Sequence, residues 1–246
     1  MIEVTGVKKT YRSGETLVHA LRGVSIKIEN GEFMSIAGPS GSGKTTLLNL
    51  IGCLDTADHG SILIDGTDIS TKDKQELALL RRRSIGFIFQ SFNLIPVLTA
   101  FENAAFPLSL LGLEEKEIQR RTMEILKEVG LGDMAHRKPA ELSGGQQQRV
   151  AIARALVKDP QIVLADEPTA NLDSRTGQEI LELMEGLNRN HGTTFVFSTH
   201  DKMVMDFARR LVLLHDGLIQ KDESQEPSLG ASTTLATGVS TERQGG

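Results

Sequence analysis

The chain has 246 residues, a net charge of −5 at pH 7 and 39% hydrophobic residues, a composition that is ordinary for a globular protein. The chain has no overall surplus of basic residues, so nucleic acid is not an expected partner. A single cysteine, Cys53, excludes a disulfide framework within the chain and is typical of a reducing compartment. No apolar run reaches the roughly 20 residues that a membrane-spanning helix needs, and the first residues lack the pattern of a signal peptide.

Short apolar runs rich in Val, Ile and Phe recur along the chain between helical patterns. They predict strands at 24–28, 33–37, 61–64, 85–89, 162–165, 194–198 and 211–214. The runs at 162–165 and 195–197 are continuously apolar, as in a parallel sheet that is covered on both faces. Asn-Gly and Asp-Gly turns follow 24–28 and 61–64, which favours an antiparallel piece for those two strands.

Apolar residues at helical spacing predict helices over 114–129 and 174–190. Between the predicted strands we expect a helical subdomain at about 91–157. Residues 223–246 are rich in Ser, Thr and Gly and contain no aromatic residue. Such a segment buries too little surface to offset its chain entropy, so it is predicted to be a disordered tail after a domain at 1–222.

A glycine-rich segment joins the predicted strand 33–37 to a helical pattern that starts at Thr46. Its residues are Gly38, Pro39, Ser40, Gly41, Ser42, Gly43, Lys44 and Thr45, the spacing of a phosphate-binding loop. The glycines let successive N–H groups point inward, where they and the helix N-terminus meet phosphate oxygens. Lys44 then contacts the β- and γ-phosphates, and the Thr45 hydroxyl is a ligand for Mg²⁺. The alternative is an ordinary turn between a strand and a helix.

Two carboxylates, Asp166 and Glu167, end the buried strand 162–165. Taken alone, they are most simply two solvated charges. Together with a phosphate loop, Asp166 is expected to bind Mg²⁺ through water. Glu167 is expected to act as general base for the attacking water.

The segment Leu-Ser-Gly-Gly-Gln at 142–146 precedes a helical stretch at 147–157. Ser143 is expected to cap that helix, and the glycines expose backbone N–H groups. The result is a second anion site about a hundred residues after the first. A symmetric dimer accounts for two such sites, because each nucleotide can lie between the loop of one copy and the cap of the other.

Taken in order, these segments resemble the ATP-binding subunits of ABC transporters over residues 1 to about 222. The resemblance rests on Tyr11, 38–45, Gln90, 142–146, Asp166, Glu167, 171–173 and His200. The segments 19–24, 52–55, 85–94 and 140–155 are most similar to the lipoprotein-releasing and macrolide-exporter branch. One departure is Ala170, where glycine is more usual, and it lies between the motifs.

The resemblance implies a role for each matching residue. Tyr11 would stack on adenine, and Asp173 would belong to the loop that crosses a dimer interface. The expected catalytic residues are Glu167, His200 as sensor of the γ-phosphate, and Gln90. The expected metal ligands are Thr45, Gln90 and Asp166. The expected nucleotide contacts are Tyr11, Gly38, Pro39, Ser40, Gly41, Ser42, Gly43, Lys44, Thr45, Thr46, Ser143, Gly145 and Asp173.

The implied fold is an α/β P-loop NTPase core with a mainly parallel sheet, an antiparallel β subdomain and a helical signature subdomain. The implied cofactors are ATP and Mg²⁺, and the implied partners are a second copy of the chain and an integral membrane permease. The chain would then lie on the cytoplasmic, inner face of the cell membrane, with the stretch 92–106 as the expected dock for the permease.

The implied function is an ATPase that powers a separate permease for lipoprotein release or for macrolide or peptide export. Two other interpretations share the same motifs. One is transmembrane signalling or cell-division control without transport, and the other is a soluble ABC ATPase of translation or DNA repair. A single cassette without sustained heptads is not typical of the soluble class.

Overall fold

A computed structural model describes the structure of residues 1–225 of the protein. The strands are β1 (Ile2–Ser13), β2 (Thr16–Ile28), β3 (Phe33–Ala37), β4 (His59–Ile64), β5 (Thr67–Asp68), β6 (Ile85–Ile88), β7 (Ile162–Asp166), β8 (Thr194–Thr199), β9 (Arg210–His215) and β10 (Leu218–Ser224). The α-helices are α1 (Lys44–Ile51), α2 (Lys74–Ser84), α3 (Ala100–Ser109), α4 (Glu115–Glu128), α5 (Gly144–Leu156), α6 (Ser174–His191) and α7 (Lys202–Phe207). Over residues 1–225, none of the helices has the length and apolar character that crossing a bilayer requires.

The strands form two sheets with different topology. The larger sheet has the order β10-β9-β3-β8-β7-β6, and all its neighbours are parallel except β10, which runs antiparallel to β9. The smaller sheet is antiparallel, in the order β2-β1-β4-β5. The helices α3, α4 and α5 follow β6 in the chain and pack on one another. The predicted α/β fold class is therefore confirmed.

The larger sheet separates two hydrophobic cores. Because side chains alternate along a strand, Phe33, Phe195 and Phe197 lie on the face that packs against α3 to α6. Met34 and Val196 lie on the opposite face, which packs against α1 and the smaller sheet. The rings of Phe33 and Phe197 meet edge to face with their centroids 4.7 Å apart. Both faces are covered, which explains the continuous apolar runs of the central strands.

The sequence analysis missed β1, which is central to the smaller sheet. Its buried apolar residues are Ile2, Val4 and Val7, so the spacing changes from two residues to three. Gly6 lies at this break with a φ of +58°, and the pairing register shifts there against both neighbouring strands. A bulge adds one residue to the strand, and it therefore hides the alternation that predicts a strand.

The boundary of the predicted tail is corrected by three residues. Glu223 and Ser224 belong to β10, and the side-chain amide of Gln225 donates to the carbonyl oxygens of Met205 and Ala208. This edge strand exposes polar side chains along most of its length, so it lacks the apolar pattern that predicts strands. The rest of the predicted tail, 226–246, lies outside the described residues.

Candidate nucleotide site

Three segments of the predicted site meet at one edge of the larger sheet. The strands β3, β7 and β8 are adjacent and parallel, so their carboxyl ends lie side by side. In the register of the sheet, Ala37 pairs with Thr199, and Asp166 pairs with Ser198. The loop after β3, the two carboxylates after β7 and the histidine after β8 are therefore neighbours in space.

The loop after β3 is shaped by close backbone contacts. Gly43 has a φ of +104°, and a Cβ at this position would lie 2.4 Å from the carbonyl oxygen of Ala20. Lys44 is buried, and its Nζ donates to the carbonyl oxygens of Gly38 at 2.8 Å and Pro39 at 3.0 Å. Burial lowers the pKa of Lys44, although the nearby charges of Glu167 and Asp166 oppose this shift.

The first turn of α1 is free to bind an anion. Its N-cap, Gly43, offers no side chain to the first N–H groups, which an α-helix leaves without partners of its own. By contrast, Asp73, Thr99 and Ser143 cap the helices α2, α3 and α5 with their side chains. The hydroxyl of Ser42 is also buried without a hydrogen-bond partner among residues 1–225. Phosphate oxygens are suited to both kinds of donor.

The two carboxylates after β7 have different surroundings. Asp166 accepts hydrogen bonds from the hydroxyl of Thr45, at 3.2 Å and 3.3 Å to its two oxygens, and from the hydroxyl of Ser198. Glu167 has a φ of +48°. Its Oε1 lies 2.6 Å from Nδ1 of His200, and its Oε2 accepts from the hydroxyl of Thr199 at 3.1 Å.

These groups line one pocket of about 600 Å³. Its lining residues are Tyr11, Val18, Ala20, Pro39, Ser40, Gly41, Ser42, Gly43, Lys44, Thr45, Thr46, Gln90, Asp166, Glu167 and His200. Gly38 is not part of the lining, but its carbonyl holds Lys44. The pocket thus has a polar part around the loop and carboxylates and an apolar part around Tyr11, Val18 and Ala20.

Besides Gly38, three further predicted nucleotide contacts do not line this pocket, namely Ser143, Gly145 and Asp173. Ser143 is exposed and caps α5, where its hydroxyl accepts from the N–H of Gln146 at 3.3 Å. Asp173 is exposed and caps α6 through the N–H of Thr176 at 3.0 Å. A Cβ on Gly145 would lie 2.6 Å from the Thr176 side chain, so α5 and α6 begin close together.

Sequence reasoning missed Ser198 and Thr199, the hydroxyls that hold the two carboxylates. Both precede His200 at the end of a predicted strand, but their contacts depend on the register between β7 and β8, which no sequence motif reports. It also missed Val18 and Ala20. They lie on β2, whose pairing with β1 shifts register at the Gly6 bulge and again between Lys9 and Thr10.

The oxygen atoms at the acidic end fit a bound Mg²⁺. Among residues 1–225, no cluster of three or more His, Cys, Asp or Glu side chains could hold a metal by itself. Mg²⁺ is instead typically bound by one or two carboxylates together with hydroxyls, waters and substrate phosphates. Thr45 and Asp166, which contact each other, supply such a set, and Gln90 lines the same pocket.

A glycine-rich loop between a parallel strand and an uncapped helix, facing two carboxylates, defines a P-loop nucleotide-binding domain. The family model described as ABC transporter matches residues 21–170, which is more than half of the chain. An ABC transporter ATP-binding protein of Thermotoga maritima is 51% identical over 220 residues, covering 89% of this chain and 94% of the relative. The chain belongs to the ABC transporter family, and it is an ATP-binding cassette with an ABC ATPase domain.

Other relatives include the macrolide export ATP-binding/permease protein MacB of Bdellovibrio bacteriovorus, which is 44% identical over 95% of this chain. The chain spans 36% of the length of that relative. The solved structure of the cassette MJ0796 of Methanocaldococcus jannaschii is a dimer in a post-hydrolysis state bound to ADP and Pi. It has a TM-score of 0.83 and 48% identity, and the match covers 91% of this chain and 98% of that one.

The close approach at Gly43 gives a test of the loop. Gly43→Ala is expected to weaken ATP binding at least about tenfold, because the new Cβ collides with the Ala20 carbonyl and deforms the loop. Gly112→Ala is the matched control, since Gly112 also has a positive φ of +69° but open space around its Cβ position. The control is expected to lose about 1 kcal/mol of stability and to keep its ATP affinity, as measured by calorimetry. Equal ATP affinity in both variants would contradict the proposed loop geometry.

Proposed function

We propose that the chain hydrolyses ATP as one of two copies that close over two nucleotides, and that it powers a separate membrane permease. The observation that carries this proposal is that the predicted site residues fall into two groups, one inside a single pocket and one outside it. One pocket contains the phosphate loop, both carboxylates and His200, whereas Ser143 and Gly145 begin a helix outside it. A second copy could supply the missing half.

The exposed surface supports this arrangement. The N-terminus of α5 presents Ser143 at the surface, and Asp173 is exposed at the start of the adjacent helix α6. A two-fold axis would place these groups opposite the phosphate loop of the other copy. The dimeric structures of MJ0796 are consistent with this proposal. In it, each γ-phosphate lies between Lys44 of one copy and Ser143 and Gly145 of its partner.

Within each pocket, Glu167 is suited to the role of general base. Its carboxylate is mostly buried, with 14% of the side chain exposed, and its two oxygens are oriented by His200 and Thr199. A water beside it would give up a proton as its oxygen attacks the γ-phosphate. Lys44 and the N–H groups of α1 would stabilise the charge on the phosphate oxygens. Bound Mg²⁺ would neutralise charge on the β- and γ-phosphates.

An apolar groove of about 530 Å³ on the outer surface is the proposed permease dock. Its lining residues are Leu54, Ala78, Arg81, Arg82, Ile85, Gly86, Phe87, Phe89, Phe106, Pro107, Leu110, Arg154, Ala155 and Lys158. Leu54, Phe106 and Leu110 are 44–50% exposed, which is unusual for large apolar side chains that lie together. From the stretch 92–106, which was expected to form the dock, only Phe106 lines this groove.

The basic side chains of the groove have no acidic partner among residues 1–225. Its four basic side chains, Arg81, Arg82, Arg154 and Lys158, donate to main-chain carbonyl oxygens. No acidic residue of 1–225 lines the groove. Burial, with the charge of Arg81, lowers the pKa of Lys158 to about 8. The docking segment of the permease is therefore expected to be apolar with an acidic side chain, which would pair with these cations.

One short segment connects this groove to the nucleotide pocket. Arg154 lines the groove and donates to the carbonyl oxygens of Phe92 and Asn93. Both residues have a positive φ, and they follow Gln90, which lines the pocket. Movement of a docked permease segment would thus shift the position of Gln90 through Arg154 and the main chain of Phe92 and Asn93.

The transported substrate is proposed from the family resemblance of the sequence motifs and from the relatives. MacB of Bdellovibrio bacteriovorus is a macrolide export protein, and the chain resembles its cassette portion. We therefore favour export of a macrolide or peptide, or release of a lipoprotein. The cassette would then work on the cytoplasmic, inner face of the cell membrane.

The role of Glu167 can be tested by substitution. Glu167→Gln is expected to lower ATP turnover at least about 100-fold, because the amide cannot accept the proton, and to leave ATP binding intact. The matched control is Glu128→Gln. Glu128 also contacts a histidine, His191, at 3.0 Å, but it lies outside the pocket. Turnover of Glu167→Gln at the parent rate would show that another group is the base.

The shared site can be tested by mixing two inactive proteins, Lys44→Ala and Ser143→Arg. If each nucleotide uses the loop of one copy and the cap of the other, a mixed dimer contains one complete site and one doubly damaged site. Mixing is therefore expected to restore ATPase activity to a substantial fraction of the parent rate, measured by phosphate release. A mixture as inactive as its components would indicate that each chain completes its own site.

The groove can be tested with two exposed leucines. Leu110→Glu places a carboxylate in the groove and is expected to lower the membrane-bound fraction of the chain in cells at least about tenfold. Leu79→Glu is the control, because Leu79 is 46% exposed but does not line the groove. ATPase activity of both purified chains is expected to match the parent. Equal membrane binding of both variants would place the dock elsewhere.

A further inference from the structure

The aromatic end of the pocket is held by side chains that lie outside it. Tyr11 is 38% exposed and lines the pocket with Val18 and Ala20. An exposed ring that rotates freely loses conformational entropy when a ligand stacks on it, and a ring fixed beforehand avoids that cost. The contacts of the Tyr11 hydroxyl therefore bear on nucleotide affinity.

Those contacts connect Tyr11 to the phosphate-loop helix at both of its ends. The Tyr11 hydroxyl donates to Oδ2 of Asp55 at 2.8 Å. The N–H of Asp55 in turn donates to the carbonyl oxygen of Asn49, in α1, at 3.3 Å. Thr46, in the first turn of α1, also interacts with the Tyr11 hydroxyl. The helix that begins at the phosphate loop thus also determines where the aromatic ring lies.

Lys9 completes the cluster. Its Nζ donates to Oδ1 of Asp55 at 2.9 Å and to the carbonyl oxygen of Thr56 at 2.7 Å. It also lies 5.2 Å above the centroid of the Tyr11 ring, close enough for a cation–π contact. Since Lys9 is buried and does not line the pocket, it covers one face of the ring and leaves the other for a base.

The carboxylate of Asp55 is charged at neutral pH. Burial would by itself raise the pKa of Asp55, but hydrogen bonds from Lys9, Tyr11 and the N–H of Thr56 outweigh burial and lower this pKa. The acceptor of the Tyr11 hydroxyl is therefore an anion, and charge-assisted hydrogen bonds are stronger than neutral ones.

We propose that Asp55 and Lys9 are positioning residues, which hold the Tyr11 ring at a set distance from the phosphate loop so that it is ready to stack on the base of a nucleotide. This inference rests on the proposed function of the pocket as an ATP site. It has a specific consequence: the cluster raises affinity only for ligands that carry a base. Inorganic tripolyphosphate, which occupies the phosphate loop alone, gains nothing from it.

The test compares ATP with tripolyphosphate in Asp55→Ala, Tyr11→Phe and the double variant. Each single change is expected to weaken ATP binding, and to raise KM for ATP, about fivefold, the effect of one hydrogen bond. Binding of tripolyphosphate is expected to be unchanged, and Asp55→Ala is expected to keep the parent kcat. The double variant is expected to bind ATP as the single variants do, because both remove the same contact. Asp65→Ala is the control, since Asp65 forms an ion pair with the Met1 ammonium instead.

Two results would overturn the inference. Additive losses in the double variant would mean that Asp55 acts independently of the Tyr11 hydroxyl. An equal loss of ATP and tripolyphosphate affinity would mean that Asp55 supports the phosphate loop and not the ring. If Asp55→Ala does not fold, Lys9→Met is compared in its place, and it is expected to weaken binding of ATP but not of tripolyphosphate. Tyr11→Ala distinguishes failure of the positioning role from failure of the proposed ATP site. Unchanged ATP affinity in that variant would contradict the proposed adenine site itself.

Discussion

The alignment of parallel strands is the constraint on which the site depends. Because β3, β7 and β8 are adjacent and point the same way, whatever follows each strand must emerge at the same edge of the sheet. The loop, the two carboxylates and His200 are far apart in the chain, and no direct contact between them is needed to bring them together. The hydrophobic cores on both faces hold the strands in register. Chemistry at the edge is thereby supported by packing that is remote from it.

The helical region between β6 and β7 has a different relation to the site. It carries Ser143 and Gly145 at the start of α5, which packs against α6, and neither residue lines the pocket of its own chain. The same region contributes Arg154, Phe106 and Leu110 to the apolar groove. Two surfaces that we propose for other chains therefore both include residues of this group of helices, while the phosphate loop and the carboxylates follow strands of the sheet.

A structural feature could be predicted from the sequence when the residues that determine it are neighbours in the chain. The strand at 33–37 was predicted to the residue, since an apolar run is bounded there by charged residues and a glycine-rich loop. The loop and the acidic pair were found because each directly follows such a strand. The strand β1 was not predicted, because the bulge at Gly6 breaks its alternation. The contacts from Thr199 to Glu167 and from Lys9 to Asp55 were also out of reach, since they follow from strand register and from a loop that closes on α1.

The two hydrogen bonds of Lys44 to the carbonyl oxygens of its own loop have a consequence for the proposed ATP site. A ligand that arrives there meets an ammonium group that has already left bulk water, held by two neutral oxygens. The phosphate oxygens of the ligand have only to replace those two carbonyl oxygens as partners of Lys44. No segment of the chain has to become ordered first. Departure reverses the same substitution. Two carbonyl oxygens of the loop thus occupy the hydrogen-bonding positions that phosphate oxygens would take at Lys44. Nucleotide binding and release can therefore proceed as an exchange of hydrogen-bond partners, without refolding of the loop.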